Sequence, residues 1–181
     1  NRRYQHEEMY LAEKIALRAL CEWSRNNDFR ISICGRSLEN AVDEERFFLE
    51  RLSCPFEFHP RTNTFSSYKM LDGADIVVFI DSALGYECVS RGIKAAAFTI
   101  RGTLLGVREI NFGYPANFGS AGAFWTNQPD TGLMYKILDY LNSVDGPSWD
   151  KQVSMVRSEV MVNDPGNYIL KQSVKNIIQS H

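Results

Sequence analysis

Residues 74–92, ADIVVFIDSALGYECVSRG, decide the fold that we predict for this chain. The apolar run 76–80 is typical of a strand covered on both faces, and it ends at Asp81 and Ser82. A helix begins directly after this turn and includes Gly85. Anions bind where strand ends meet helix N-termini, because unpaired backbone N–H groups and the helix dipole converge there. The segment therefore predicts a phosphate or nucleotide site.

Hydrophobic periodicity divides the rest of the chain into alternating helices and strands. It predicts helices at 7–25, 39–52, 66–71, 84–91, 130–141, 149–162 and 168–179, and strands at 29–34, 56–59, 76–80, 94–100 and 123–126. This alternation predicts an α/β fold, with a Rossmann-like, doubly wound, mainly parallel sheet and helices on both faces. Residues 101–122 contain five glycines and no clean periodicity, so they predict a long functional loop.

Length and charge limit the class of protein. The 181 residues predict a single domain, 1–181, and the absence of an initiator methionine indicates a fragment of a longer protein or a processed chain. A net charge of −2 argues against nonspecific nucleic-acid binding. The sequence shows no signal peptide and no apolar run near the ~20 residues of a membrane span, so we expect a cytoplasmic protein.

The cysteines are scattered along the chain without a C-x-x-C pair or a histidine at metal-binding spacing. We therefore expect no metal site. Small thiol side chains in apolar or helical stretches are typical of reduced core residues. The sequence predicts free thiols in a reducing compartment for Cys21, Cys34, Cys54 and Cys88.

Cationic residues follow several of the predicted strands. His59 and Arg61 close one strand, Gly35 and Arg36 follow another, and Arg101 follows a third. An arginine offers a bidentate fork to phosphate, and an imidazole can donate a hydrogen bond to it. We expect these side chains to form a cationic rim that binds an anion at one edge of the sheet. A solvated loop is the alternative for His59 and Arg61.

The start of the helix after the central strand supplies the other candidate binding residues. Ser82 precedes Gly85, Tyr86 and Glu87, and glycine allows a backbone to approach a ligand closely. Glu87 is placed to accept hydrogen bonds from vicinal hydroxyls such as those of a ribose. Ser82 is also consistent with a simple N-cap, and Glu87 with a carboxylate that interacts with the helix dipole.

The sequence lacks the Walker A, G-x-G-x-x-G, G-x-S-x-G and H-E-x-x-H motifs. Kinase, dehydrogenase, α/β-hydrolase and zincin functions therefore lose their main support. Five aromatic residues in or near the long loop are candidates for a base or sugar pocket, although core packing is the better interpretation for Phe124 and Trp125. They are Phe112, Tyr114, Phe118, Phe124 and Trp125.

Residues 58–63, FHPRTN, and 72–92, DGADIVVFIDSALGYECVSRG, resemble the carboxyl-terminal domain of GT-B-fold glycosyltransferases. The likeness is greatest to bacterial surface-carbohydrate biosynthesis transferases. It rests on a His-Pro pair after one strand and on a Ser, a Gly and an acidic residue at a helix start. Residues 124–126, FWT, and 163–167, NDPGN, also resemble closing segments of that family.

The resemblance implies a metal-independent transferase domain that binds a nucleotide-sugar donor as substrate and needs no cofactor. It implies that His59 contacts the donor phosphate, that Ser82 and the Gly85 backbone contact the phosphates, and that Glu87 contacts the ribose. The other half of a two-domain GT-B enzyme would supply the catalytic base and bind a glycan or lipid-linked acceptor. The resemblance also implies peripheral association with the inner face of a membrane. We expect no nucleic-acid partner, because of the net charge.

Three other functions stay open at this point. Polysialyltransferases and teichoic-acid glycerophosphotransferases have similar His-Pro and helix-start motifs. A GT-B-like nucleotide-sugar epimerase would need an acid and a base that face the sugar ring, and no paired carboxylates stand out. A non-catalytic nucleotide-binding or interaction module is also consistent with the same residues.

Overall fold

The structure is a computed structural model that describes residues 6–164 and 166–179. It is 53% helical. The helices are α1 His6–Met9, α2 Leu11–Asn27, α3 Ala41–Leu49, α4 Ser66–Leu71, α5 Ala83–Arg91, α6 Arg101–Leu105, α7 Thr131–Ser143, α8 Gly146–Val160 and α9 Tyr168–Gln179, with a 3-10 turn at Arg108–Ile110. The strands are β1 Ile31–Cys34, β2 Phe56–His59, β3 Val77–Phe79 and β4 Ala95–Ala97.

The predicted doubly wound Rossmann-like sheet is wrong. The described strands form two separate two-stranded parallel sheets, β1 with β2 and β3 with β4. The predicted strand 94–100 pairs only over Ala95–Ala97, because the chain turns at Ile100, whose N–H donates to the Phe98 carbonyl, and enters α6. The predicted strand 123–126 contributes only isolated bridges, including one from Trp125 to Ala97.

Helix α2 shows how the periodic pattern becomes packing. Its buried face includes Ala12, Ala16, Ala19 and Trp23, which recur at the spacing of one helix face. The small alanine side chains let α2 pack closely against its neighbours. The indole Nε1 of Trp23 donates to the Asp139 carboxylate on α7 at 2.7 Å. The amphipathic helix predicted at 7–25 is therefore confirmed, with a break that separates α1 from α2.

The main core surrounds β3, β4 and α5. Ala95, Ala96, Ala97 and Val89 are fully buried, as the apolar runs predict. Indole Nε1 of Trp149, on α8, donates to the Gly92 carbonyl at 2.8 Å and fixes α8 over the end of α5. The short strands β3 and β4 are therefore covered by helices from a much later part of the chain.

A smaller core beside β1 and β2 contains a disulfide. Cys21 on α2 and Cys54 just before β2 are bonded, and both are buried. The prediction of four free thiols is therefore wrong for this pair and correct for Cys34 and Cys88. Cysteine spacing misses the bond because the two residues are 33 positions apart and meet only through the fold.

Residues 101–122 are more ordered than the predicted loop. They contain α6 and the 3-10 turn, and Phe112 within them is buried in the main core. Asp130 caps α7 by accepting from the N–H groups of Gly132 and Leu133. Asp145 caps α8 in the same way, which starts that helix three residues before the predicted position.

Candidate functional site

The carboxyl ends of β1 and β2 bring four predicted site residues together. Cys34 pairs with His59 in the parallel register, and the Gly35 N–H donates to the His59 carbonyl at 2.9 Å. Nη1 of Arg61 then donates to the Arg36 carbonyl at 3.2 Å, which joins the two strand ends. We call this group, Gly35, Arg36, His59 and Arg61, the β1–β2 edge.

The basic side chains of this edge are accessible. The Arg36 side chain is 90% exposed and the His59 side chain is 40% exposed. Nε2 of His59 lies 3.5 Å from Oε1 of Glu57, an exposed carboxylate two residues earlier on the same face of β2. The edge therefore presents two guanidinium groups and an imidazole to solvent, as an anion-binding surface requires.

A carboxylate that the sequence analysis missed lies in the centre of this edge. Oε2 of Glu44, on α3, accepts from the backbone N–H groups of Arg36 and Ser37, each at 3.1 Å. Its Oε1 lies 3.2 Å from Nε of Arg36, and the side chain is 15% exposed. Consecutive N–H groups that converge on one oxygen form an anion-binding nest. The loop after β1 therefore binds an anion that belongs to the protein itself.

Ser82 is exposed at the start of α5. Its backbone is extended, with φ −83° and ψ 130°, as an N-cap residue requires, yet its side chain makes no capping hydrogen bond. The hydroxyl is thus placed beside the amino end of α5 without the local contact that an N-cap serine usually makes.

Gly85 is buried against the ring of Phe79. A Cβ atom built at Gly85 would lie 2.0 Å from Cγ of that ring, so only glycine lets α5 pack this closely on β3. Tyr86 stacks on Phe112, with ring centres 5.6 Å apart, and its hydroxyl accepts from the Gly113 N–H at 3.3 Å. Burial raises the pKa of Tyr86. Both residues make their observed contacts with the core.

The aromatic residues around Tyr86 form one packed cluster. Phe112 stacks on Trp125 with ring centres 5.1 Å apart, and Phe124 meets the same indole edge to face. Phe124 is fully buried, and Phe112 and Trp125 nearly so. Core packing, which the sequence favours for Phe124 and Trp125, therefore extends to Phe112.

Glu87 links α5 to α4. The Tyr68 hydroxyl donates to Oε2 of Glu87 at 2.6 Å, and this hydrogen bond is the main reason that the pKa of Tyr68 is raised. Arg91, one turn later on α5, pairs with Asp72 at the end of α4. Helix α4 in turn follows the His59 loop, whose Thr62 N–H donates to the Ser66 hydroxyl at 3.2 Å. The chain after the β1–β2 edge is thereby fixed to α5.

Arg101 lies inside the fold rather than on an exposed rim. Its side chain is 11% exposed, and its Nε donates to Oδ2 of Asp81 at 2.7 Å. The same guanidinium pairs with Glu13 and donates to the Met9 carbonyl. Arg101 therefore joins the end of β3 to α1 and α2, with Asp81 as one of its structural partners.

Three further features of the described residues lie outside the β1–β2 edge. Within residues 6–164 and 166–179, no group of three or more His, Cys, Asp and Glu side chains is arranged to hold a metal ion. Over the same residues, no helix is long and apolar enough to cross a membrane. A cleft of about 530 Å³ lies elsewhere, lined by Glu22, Trp23, Arg25, Asn26, Asn27, Tyr135 and Asp139.

Comparison with known proteins identifies the family. The chain belongs to a family described as "putative O-antigen biosynthesis protein", whose model matches residues 1–178. No curated protein and no solved structure matches the chain. The family assignment connects the chain with the biosynthesis of surface polysaccharide, in agreement with the general function that the sequence resemblance implied.

Proposed function

We propose that this chain binds the phosphate groups of a nucleotide-sugar donor and serves a glycosyltransferase reaction in O-antigen assembly. The observation that carries the proposal is the β1–β2 edge, where Arg36, His59 and Arg61 meet at adjacent ends of parallel strands. Guanidinium groups bind phosphate through charge-assisted hydrogen bonds, which are about twice as strong as neutral ones. Membership of an O-antigen biosynthesis family supports an activated sugar as the source of that phosphate.

The β1–β2 edge is better suited to stabilise a leaving nucleotide than to activate a nucleophile. When the bond between the sugar and its nucleotide breaks, negative charge develops on the phosphate oxygens of the leaving nucleotide, and positive groups nearby stabilise that charge. Arg36 and Arg61 supply positive groups, and the imidazole of His59 can donate a hydrogen bond to the phosphate. We assign no catalytic base to the described residues, and we propose that acceptor binding and proton removal belong to a further part of the enzyme.

We propose that Ser82 and Glu87 also contact the donor, Ser82 at its phosphates and Glu87 at its ribose. The Ser82 hydroxyl lies at the amino end of α5, where an anion is stabilised by the helix dipole. The hydrogen bond from Tyr68 engages Oε2 of Glu87, so Oε1 can accept from a ribose hydroxyl. Gly85, Tyr86 and Arg101 are left out of the binding set because their contacts are with the core and with Asp81 and Glu13.

Calorimetric titration with UDP, GDP and CDP tests the proposal. We expect one nucleotide to bind the native chain, and we expect the Arg36→Gln/Arg61→Gln variant to bind it at least about tenfold more weakly. Arg46→Gln is the matched control, because Arg46 is an exposed arginine of α3 that pairs with nearby Asp43. Equal affinity in the double variant and the control would place any binding elsewhere. Absence of binding by all three nucleotides would reject the donor-binding proposal.

A further inference from the structure

Helix α9 carries large apolar side chains on its surface. Leu170 is 61% exposed and Ile178 is 70% exposed, and no residue of Tyr168–Gln179 is buried. Asp164 fixes the start of the helix, because its two carboxylate oxygens accept from the N–H groups of Tyr168 and Ile169 at 2.9 and 2.8 Å. The helix is thus capped at its start while its apolar residues face solvent.

These side chains share one face of the helix. Positions 170, 174, 177 and 178 follow the i, i+4, i+7 and i+8 spacing of an amphipathic helix. We call Leu170, Val174, Ile177 and Ile178 the α9 face. A continuous row of exposed apolar side chains on a surface helix is typical of an element that binds an apolar partner.

The charge of α9 limits what that apolar partner can be. The helix contains Lys171 and Lys175 and no acidic residue, although acidic residues outnumber basic ones in the whole chain. Each lysine follows a residue of the α9 face by one position, which places both lysines along one border of the face. Pairing of two α9 helices would bring lysines together without carboxylates from either helix to balance them. Negative groups beside an apolar layer are the better match.

We propose that α9 binds to an anionic lipid surface, with the α9 face in the acyl boundary and Lys171 and Lys175 at the headgroup phosphates. Amphipathic helices with cationic flanks lie in the interface in this way, and their binding combines apolar burial with electrostatic attraction. The inference goes beyond the proposed donor binding and does not depend on it, because α9 shares no residue with the β1–β2 edge.

Vesicle co-sedimentation of the full 181-residue chain tests the inference. The vesicles are phosphatidylcholine alone and phosphatidylcholine with about one third phosphatidylglycerol. We expect the chain to bind the anionic vesicles and to bind neutral vesicles about 25-fold less, since α9 carries two lysines and about a fivefold change per lysine is typical. Leu170→Gln/Ile178→Gln should abolish binding. Met155→Gln is the control, because Met155 is an equally exposed apolar residue of α8.

The electrostatic part has its own matched pair. Lys175→Gln should weaken binding to anionic vesicles about fivefold, whereas Lys136→Gln, at an exposed lysine of α7, should leave it unchanged. Failure of the native chain to bind anionic vesicles would overturn the inference, and so would equal binding by Leu170→Gln/Ile178→Gln. Sedimentation equilibrium adds a third outcome that overturns it: a native dimer that dissociates in this double variant would show that α9 binds a second copy instead.

Discussion

Glu44 and Arg36 form an ion pair at the end of β1 in which the carboxylate also accepts the backbone N–H groups of Arg36 and Ser37. The donors that a bound phosphate would use are therefore already oriented, and an internal anion uses them in this structure. Such an arrangement keeps the loop ordered without ligand. It also means that a phosphate at the β1–β2 edge competes with Glu44 or binds beside its charge.

Removal of that charge should strengthen phosphate binding. In Glu44→Gln the amide oxygen still accepts from the loop N–H groups, while the repulsion between carboxylate and phosphate is lost. We expect about a three- to tenfold gain in affinity for the nucleotide that binds, a modest effect because solvent and salt screen the site. Glu45→Gln, at the exposed neighbour on α3, should change nothing. Unchanged or weaker binding by Glu44→Gln, with native circular dichroism, would show that no anion binds at this edge.

Gly85 should be sensitive to the smallest substitution. The ring of Phe79 occupies the space that a Cβ atom at Gly85 would need, so Gly85→Ala forces α5 away from β3. Overpacking of this kind costs about 1 to 3 kcal/mol in the free energy of unfolding, which urea denaturation measures. Gly73→Ala is the control, because a Cβ at Gly73 would meet its nearest atom only at 3.8 Å. Equal stability of the two variants would contradict the close contact.

The hydrogen bond from Tyr68 to Glu87 should contribute measurably to stability. Tyr68→Phe removes the donor and leaves the carboxylate acceptor, so we expect a loss of about 1 kcal/mol in the free energy of unfolding. Tyr114→Phe, at a tyrosine that is 48% exposed, should cost little. A Tyr68→Phe variant as stable as the native protein would mean that water replaces the hydrogen bond fully.

The same hydrogen bond predicts a pH dependence with a definite sign. The folded pKa of Tyr68 is raised, chiefly because its hydroxyl donates to Glu87, whereas an unfolded tyrosine has a pKa of about 10. The contribution is therefore complete below about pH 10 and is lost as the pH rises through the folded pKa. The stability difference between the native protein and Tyr68→Phe should shrink above that pH. A difference that grows instead would contradict the assigned donor.

Sequence periodicity predicted the helices of this fold better than its sheets. Helices at 66–71 and 168–179 have the predicted bounds, and α5 differs from its prediction by one residue. A helix depends on residues a few positions apart, so its pattern is local. Strand pairing depends on distant segments, and an apolar run such as 94–100 does not reveal that only Ala95–Ala97 pairs before the chain turns into α6.

The sequence predicted only part of the candidate site, because some of its contacts join distant segments of the chain. Arg36, His59 and Arg61 were expected at one sheet edge, and the parallel register of β1 and β2 places them there. The roles of Glu44 and Arg101 could not be predicted, because each depends on a partner from another element. A first-turn carboxylate on α3 gives no sequence signal that it folds back onto the preceding loop. Likewise, Arg101 follows a strand as expected but points toward Glu13 and Asp81.

The disulfide between Cys21 and Cys54 should stabilise the protein against unfolding. It closes a segment of 33 residues that contains β1 and α3, so reduction should lower the free energy of unfolding by up to about 3 to 4 kcal/mol on loop-entropy arguments. Urea denaturation with and without dithiothreitol measures this loss without creating a cavity. Cys34→Ala is the control, because Cys34 is a free thiol, and it should respond to dithiothreitol as the native chain does.

Burial raises the pKa of Cys88 to about 11, so alkylation of the native, unreduced protein near neutral pH should label Cys34 and spare Cys88. Recovery of alkylated Cys21 and Cys54 peptides from unreduced protein would contradict the bond and require the small core to be held by packing alone.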